Sequence, residues 1–302
     1  MKDIIRISSI SEAHECLQLG KPKHPMISLL WHKGYKMDKK HLNQPFSFDL
    51  YQITFKDCAA GSIGYGRNSY DFQEGTIIFT SPGQIITMKE DHHSDSSDGW
   101  SIFFHPDLIR KSELGRNIED YSFFSYDVNE ALHLSYDEKL TLIDLSQKIE
   151  NEYNQNIDKH SQNLIISNLK LMLDYCNRYY DRQFFTRENL NKDTITKFEQ
   201  TLKAYYNKEK EVDNGIPTVK YCGNALNMSS NYLSDLLKKE TGKNAQEHIH
   251  AFVINKAKTN LLNTTNTISQ IAYSLGFDYP QHFSKLFKKK TGMSPMEYRT
   301  MN

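Results

Sequence analysis

Between Ile268 and Arg299 the apolar residues fall at helical spacing twice, once on each side of a glycine. Ile268, Ile271, Ala272 and Leu275 predict a short helix, and Gly276 follows where a left-handed residue is wanted to close it. Asp278 is then placed to cap a second helix, on which Phe283, Leu286 and Phe287 form a stripe at i, i+3 and i+4. Opposite that stripe, at roughly 100° per residue, lie Gln281, Lys285 and Lys288. The bland reading is an amphipathic helical hairpin. The sharper one is a helix-turn-helix, with one face packed and the other offering amide and ammonium groups to a major groove.

The pattern occurs a second time, upstream. Asn231–Gly242 matches Gln281–Gly292 at an offset of 50 residues. Leu233 pairs with Phe283, Leu236 with Leu286, Leu237 with Phe287, Lys238 with Lys288 and Gly242 with Gly292. Before this core the offset becomes 49, pairing Gly223 with Ala272 and Leu226 with Leu275, so the second turn is one residue longer. Between the copies, 245–263 predicts one helix with Ile249, Phe252, Val253, Lys256, Ala257, Asn260 and Leu261 along one side. Two such units on a stiff connector would hold two reading helices at fixed separation, and successive major grooves lie about 34 Å apart.

The first half has a different texture. Residues 1–25 predict a lead-in, with Pro22 and Pro25 breaking any helix. Ile27–His32, Phe46–Phe55, Gly75–Gly83, Gln84–Met88 and Gly99–His105 are short runs rich in Ile, Phe, Tyr and Thr, bounded by turn residues such as Ser81-Pro82-Gly83. Spacing of this kind predicts a small sandwich or barrel of jelly-roll type. Aromatic side chains of Phe46–Phe55 and Trp100–Phe104 would line an apolar cavity inside it.

After Pro106 the pattern turns helical. Leu134–Glu152, with Ser135 as cap, carries Leu140, Ile143, Leu145 and Ile149. Ser161–Phe184 carries Leu164, Ile165, Leu169, Met172, Leu173 and Cys176. The second of these helices is either packed on the strands or a dimer face. Asp181–Asp193 reads as a polar connection, Thr194–Lys208 as a helix and Asn207–Pro217 as a linker. The fold class expected is α+β, with a β-barrel at about 26–105, helices at about 106–193 and an all-α region at the C-terminal end.

The second unit, IAYSLGFDYPQHFSKLFKKKTGMSPMEYR, resembles the signature of the arabinose-regulator (AraC/XylS-type) family of bacterial transcription factors, and the first copy and connecting helix fit the same family. The resemblance covers about Ile195 to Asn302. It implies a DNA-binding domain at 194–302, with helix-turn-helices at about 218–243 and 268–292 and a linker helix at 245–263. For 1–193 it implies a cupin-like barrel that holds a small effector, with helices after the barrel that form a homodimer. Double-stranded DNA and RNA polymerase are the implied macromolecular partners, and no cofactor is implied. Carried over residue by residue, base reading falls to Asn231, Ser234 and Asp235 in the first unit and to Gln281, Ser284 and Lys285 in the second. Tyr232 and His282 would sit nearer the rims, with Lys238 and Lys288 on phosphate. Asp235 departs from its twin Lys285, and a carboxylate near phosphates repels, though it can accept from cytosine N4.

Charge sharpens the division. The chain of 302 residues has 37 basic and 37 acidic residues, yet from Ile195 onward there are 15 Lys and Arg against 9 Asp and Glu, and before it 22 against 28. A basic half and an acidic half suit a nucleic-acid module joined to a sensing or oligomerising one.

Cys16, Cys58, Cys176 and Cys222 form no C-x-x-C pair, so neither zinc ligation nor a disulfide framework is expected. The N-terminal residues lack a signal peptide's apolar core, and no stretch approaches the ~20 apolar residues that span a bilayer, which predicts a cytoplasmic protein. Gly61–Gly66 fits a turn between strands better than a phosphate loop. His92-His93 reads as a loop, and a metal-binding cupin set cannot be assembled from the sequence. No catalytic residue is expected, and a cupin-type barrel enzyme with a helical appendage is the rival reading. A regulator whose barrel only dimerises is the third.

Overall fold

Short β-branched and aromatic runs build the strands of the first half in the computed structural model, which describes residues 4–35, 44–57, 75–87, 99–127, 130–155, 158–186 and 188–300. In chain order come β1 (Ile5–Ile7), α1 (Ile10–Cys16), β2 (Ile27–Trp31), β3 (Pro45–Phe48), β4 (Tyr51–Lys56), β5 (Thr76–Thr80), β6 (Ile85–Thr87) and β7 (Gly99–Phe104). After them come α2 (Pro106–Ile109), α3 (Glu113–Asn117), β8 (Leu132–His133), α4 (Tyr136–Asn154) and α5 (Ser161–Thr186). Three strands pair in the order β1-β3-β6 and five in the order β2-β7-β4-β5-β8. The five-stranded sheet is antiparallel throughout, whereas β1 runs parallel to β3.

Two sequence expectations change here. The lead-in is structured: Ser9 caps α1, its hydroxyl accepting from the Glu12 N–H at 3.2 Å, and Ser9-Ile-Ser-Glu12 is the spacing of a capping box. The run Phe46–Phe55 is not one strand. Alternation breaks at Asp49-Leu50, where the Asp49 N–H turns to the Ile7 carbonyl at 2.8 Å, and β3 and β4 enter different sheets.

Cross-strand register sorts the five-stranded sheet into two unlike faces. Trp31, Trp100, Phe55, Ile77 and Leu132 form one row, and Leu29, Ile102, Ile53 and Phe79 the next. This apolar face meets α4, where the Leu29 N–H donates to the Tyr153 hydroxyl at 3.1 Å and Trp31 Nε1 to Glu150 at 2.8 Å. The opposite face carries Ser28, Gln52 and Thr80 in one row with Phe103, and Ser101 and Thr54 in the next with Leu30 and Ile78. It is turned toward the three-stranded sheet, since Phe103 and Leu30 share a core with Ile7, Phe46, Phe48 and Ile86, and the Phe48 and Phe103 rings lie 5.8 Å apart. The aromatic lining expected inside the sandwich is therefore largely on the outer, helix-covered face.

Helix α4 starts where expected, at a capping box of Ser135 and Glu138. It buries Leu142, Leu145 and Ile149 and leaves Leu140 exposed. On α5, Ile165, Leu169, Met172, Leu173 and Cys176 are buried, while Leu164 and Leu171 remain exposed. Among the described residues no helix is long and apolar enough to cross a membrane. Cys58, Gly61–Gly66 and His92-His93 lie outside the described residues.

The chain divides into two units, Met1–Gln183 and Phe184–Asn302, so the boundary falls inside α5 rather than after Asp193. The stretch read as a polar connection is helical on both sides of residue 187: α5 runs to Thr186 and α6 spans Glu188–Asn207. It contains no Gly or Pro, and Arg, Gln, Glu and Leu sustain helix as readily as they sit in solvent. Then follow α7 (Lys210–Asn214), α8 (Val219–Leu226), α9 (Ser230–Thr241), α10 (Ala245–Asn263), α11 (Ile268–Ser274), α12 (Pro280–Thr291) and α13 (Pro295–Thr300).

Candidate nucleic-acid interface

The duplicated pattern folds into two copies of one hairpin. In each, the first helix ends in the same backbone motif: the Met228 N–H donates to the Gly223 carbonyl at 2.9 Å, and the Phe277 N–H to the Ala272 carbonyl at 3.0 Å. The left-handed residue that this ending requires is Asn227 (φ 56°) in the first copy and Gly276 (φ 89°) in the second. Each second helix stops at a left-handed glycine, Gly242 or Gly292. The starts differ. Ser229 caps α9 through its hydroxyl, whereas α12 begins at Pro280 after Tyr279 with no side-chain cap, so Asp278 does not have the capping role its position suggested.

Buried Leu233, Leu236 and Leu237 on α9, and Phe283 and Phe287 on α12, hold the second helices inward. On the outer face of α12, Gln281, His282, Lys285 and Lys288 are exposed, and Ser284 is half-buried with its hydroxyl donating to the Pro280 carbonyl at 3.0 Å. On α9, Asn231 and Lys238 are exposed, and Ser234 and Asp235 half-buried. The sequence-derived residues thus share the outer faces of the twin helices, with one exception. Tyr232 is 5% exposed, its ring centroid 5.1 Å from that of Phe184, so it packs inward and is not on a rim. Lys288, Lys289 and Lys290 fill the last turn of α12, where cations complement the helix dipole. Burial, then the nearby Lys290 and Lys289, hold His250 on α10 below its usual pKa.

The connector is the single helix expected, closed at its start by a capping box of Asn244 and Glu247. Its 19 residues extend about 28 Å at 1.5 Å per residue. Ile249, Val253, Ala257 and Leu261 pack it into a core shared by both hairpins. Arg299 on α13 donates to the Leu261 and Asn266 carbonyls at 3.2 and 2.7 Å, fastening the far end of α10.

Sequence reading missed a brace. Phe198, Leu202, Tyr205 and Tyr206 of α6 belong to this same core. Tyr206 donates to the Leu275 carbonyl at 3.2 Å, and Tyr205 to the Gly215 carbonyl at 2.9 Å. The segment taken for a linker, 207–217, instead contains α7 and brings Gly215 against the second hairpin's turn. A Cβ on Gly276 would lie 2.6 Å from the Gly215 carbonyl carbon. The i, i+4, i+7, i+8 spacing of Phe198, Leu202, Tyr205 and Tyr206 was the available signal. Among the described residues, no three His, Cys, Asp or Glu side chains come together as a metal site.

Residues 222–301 match a family model described as a helix-turn-helix domain. The xylose operon regulatory protein of Escherichia coli K12 is 35% identical over 78 residues, 26% of this chain and 20% of its own length. The uncharacterised HTH-type transcriptional regulator YobQ of Bacillus subtilis is 37% identical over 68 residues, 22% of this chain and 28% of its own. The chain thus spans less than a third of the length of these curated relatives. A solved C-terminal domain, from the two-component response regulator yesN of Fusobacterium nucleatum, is 28% identical and covers 37% of this chain and 98% of its own, at a TM-score of 0.30.

Proposed function

Because the chain belongs, through its C-terminal domain, to the AraC/XylS-type family of DNA-binding transcriptional regulators, we propose that it reads a specific operator with both twin helices, under the control of a small effector held in its N-terminal unit. The observation that carries the DNA-reading part is the pair of matching hairpins, each with an apolar inner face and a polar outer one. In this reading Gln281 pairs with adenine and Lys285 with guanine O6/N7, and Asn231, Ser234, Asp235 and Ser284 complete the base contacts. Lys238, Lys288 and His282 bind phosphate and supply sequence-independent affinity. A core common to both hairpins, with α10 about 28 Å long, supports simultaneous entry into successive major grooves.

The two facing sheets, with the Phe48 and Phe103 rings in tilted contact between them, support a cupin-like jelly-roll for the N-terminal unit. Exposed Leu164 and Leu171 on α5 support a homodimer through that helix. RNA polymerase is the partner through which a regulator of this kind would act, and no enzymatic step is assigned.

The test is a mobility shift with the full chain on fragments of neighbouring genomic DNA, at two salt concentrations. Specific, salt-sensitive retardation that is lost in the double variant Gln281→Ala, Lys285→Ala supports the reading. Equal retardation of all fragments by both proteins overturns it.

A further inference from the structure

A groove of about 1180 Å³ lies within the C-terminal unit, between α7 and the turn that joins α11 to α12. Glu211, Val212 and Asp213 of α7 form one wall, and Tyr273, Asp278 and Tyr279 the other. The walls meet where Gly215 and Gly276 touch, so closely that a Cβ on Gly276 would lie 2.6 Å from the Gly215 carbonyl carbon. Two phenols pin this seam from behind. The Tyr205 hydroxyl holds the Gly215 carbonyl at 2.9 Å, and the Tyr206 hydroxyl holds the Leu275 carbonyl at 3.2 Å. The groove is therefore preformed, as binding sites for small molecules usually are.

Its chemistry is unlike that of the domain around it. From Ile195 onward basic residues outnumber acidic ones by 15 to 9, yet the groove is lined by Glu211, Asp213 and Asp278 and by no Lys or Arg. Among the described residues none of these three carboxylates is in a salt bridge. Lys210, the neighbour of Glu211 in the chain, is engaged by Tyr221, with Nζ 3.3 Å from the hydroxyl and 5.1 Å from the ring centroid. Glu211 itself is only 9% exposed, and its Oε2 is buried without a hydrogen-bond partner. Burial, then the charge of Glu211, hold Tyr206 above its usual pKa, but the single proton of that hydroxyl already goes to Leu275. A carboxylate withdrawn from water with no donor is unfavourable, and a cation brought to it relieves that. The carboxylates do not converge as a metal site would require. Between them lie exposed Val212, Tyr273 and Tyr279, and aromatic faces attract organic cations as well as apolar groups.

We propose that this groove binds a small organic cation, an ammonium or guanidinium group on an apolar body, with the charged end at Glu211 and the body against Val212, Tyr273 and Tyr279. The site adjoins a reading helix, since Tyr279 and His282 line it and α12 begins at Pro280. Carboxylates so placed repel the phosphates of a docked duplex, and a bound cation offsets that repulsion whatever the base sequence. Cation and DNA therefore strengthen each other's binding reciprocally. This coupling rests on the DNA-reading proposal, whereas the site itself does not.

The experiment titrates the full chain with benzylamine, agmatine and putrescine, and with benzyl alcohol, benzoate, a lysine-rich peptide and sodium chloride at matched ionic strength. Calorimetry without DNA reads the site, and a mobility shift on a random duplex reads the coupling. The expected result is saturable binding of at least one of the amines and of neither benzyl alcohol nor benzoate. Saturating amine should raise DNA affinity threefold or more relative to Glu211→Gln, which controls for amine bound to the DNA itself. Glu211→Gln keeps the shape and removes the charge, so it should weaken amine binding tenfold or more while melting no lower than the parent. Asp213→Asn, at an exposed position, serves as a second variant should Glu211→Gln fail to fold, with a loss of threefold or more. A variant that folds and binds amine like the parent overturns the site, as does binding of none of the amines. Equal binding of benzyl alcohol or benzoate overturns the ligand class. Binding of the peptide alone overturns the small-molecule occupant in favour of a protein partner. Amine binding with unchanged DNA affinity overturns the coupling, and amine binding by a chain that shifts no DNA overturns the DNA reading and leaves the site standing.

Discussion

The Tyr206 hydroxyl donates to the Leu275 carbonyl at 3.2 Å, tying a helix that precedes the first hairpin to the turn of the second. Leu275 is buried, so Tyr206→Phe leaves a desolvated carbonyl, at a cost of about 1–3 kcal/mol. Gly276→Ala should cost more, because it adds a Cβ 2.6 Å from Gly215 at a φ of 89°. Urea unfolding of the full chain measures both. Unchanged midpoints would show that the brace contributes nothing to stability.

Tyr232 gives a contrast between packing and contact. If its buried ring serves the fold, Tyr232→Ala should lose about 3–5 kcal/mol of stability. Tyr232→Phe should then keep DNA affinity within twofold. A large loss of affinity in the phenylalanine variant at unchanged stability would return the hydroxyl to the interface.

On the outer face of α12, Gln281→Ala or Lys285→Ala should each cost about 1–3 kcal/mol on the cognate site and relax preference at one base pair. Lys288→Ala should weaken binding on all sequences alike and make the salt dependence shallower. Isotherms on specific and random duplexes separate the two behaviours, and an unchanged salt slope would remove Lys288 from phosphate.

Asp235 and Lys285 occupy matching positions on twin helices with opposite charge. Asp235→Lys should raise affinity for random DNA and steepen its salt dependence, and Lys285→Asp should do the reverse. If Asp235 accepts from a cytosine amino group, Asp235→Lys will also lose affinity on the operator while gaining elsewhere. No effect in either variant would defeat the docking geometry.

His32 sets a pH dependence. Its pKa falls from 6.5 to about 4 on folding, so below about pH 6.5 the unfolded chain takes up a proton that the native state refuses. Its contribution is intact above that pH and is lost as pH falls toward 4, by up to about 3 kcal/mol. Denaturant midpoints between pH 7 and 4 should fall less steeply for His32→Gln than for the parent. Parallel curves would contradict the burial argument.

The C-terminal elements were legible because local signals agreed: apolar spacing, left-handed residues after α8, α9, α11 and α12, and a repeat that checked itself. The brace was not, because Lys208–Asn214 is too polar to announce that it crosses to another hairpin. Tyr232 was misplaced because its packing partner Phe184 lay in a segment assigned to the other unit. In the strands the period of two was readable at Gln52, Thr54 and Lys56, but alternating polar residues ordinarily mean a solvated face. Only the second sheet reveals that this face is inside. Conversely, Ser9 and Glu12 carried a capping signal within a stretch read only as a lead-in.

The two hairpins follow one another in the same chain and are not copies in charge, cap or turn length. A reader built this way has no internal mirror. Under the proposed DNA reading the site has a head and a tail, and reversing it by half a rotation puts the carboxylate of Asp235 where the ammonium of Lys285 belongs. Inverting an otherwise intact operator therefore turns the bound protein around as a whole. In that reading, the direction in which the twin helices lie along the duplex is decided by which strand carries the word.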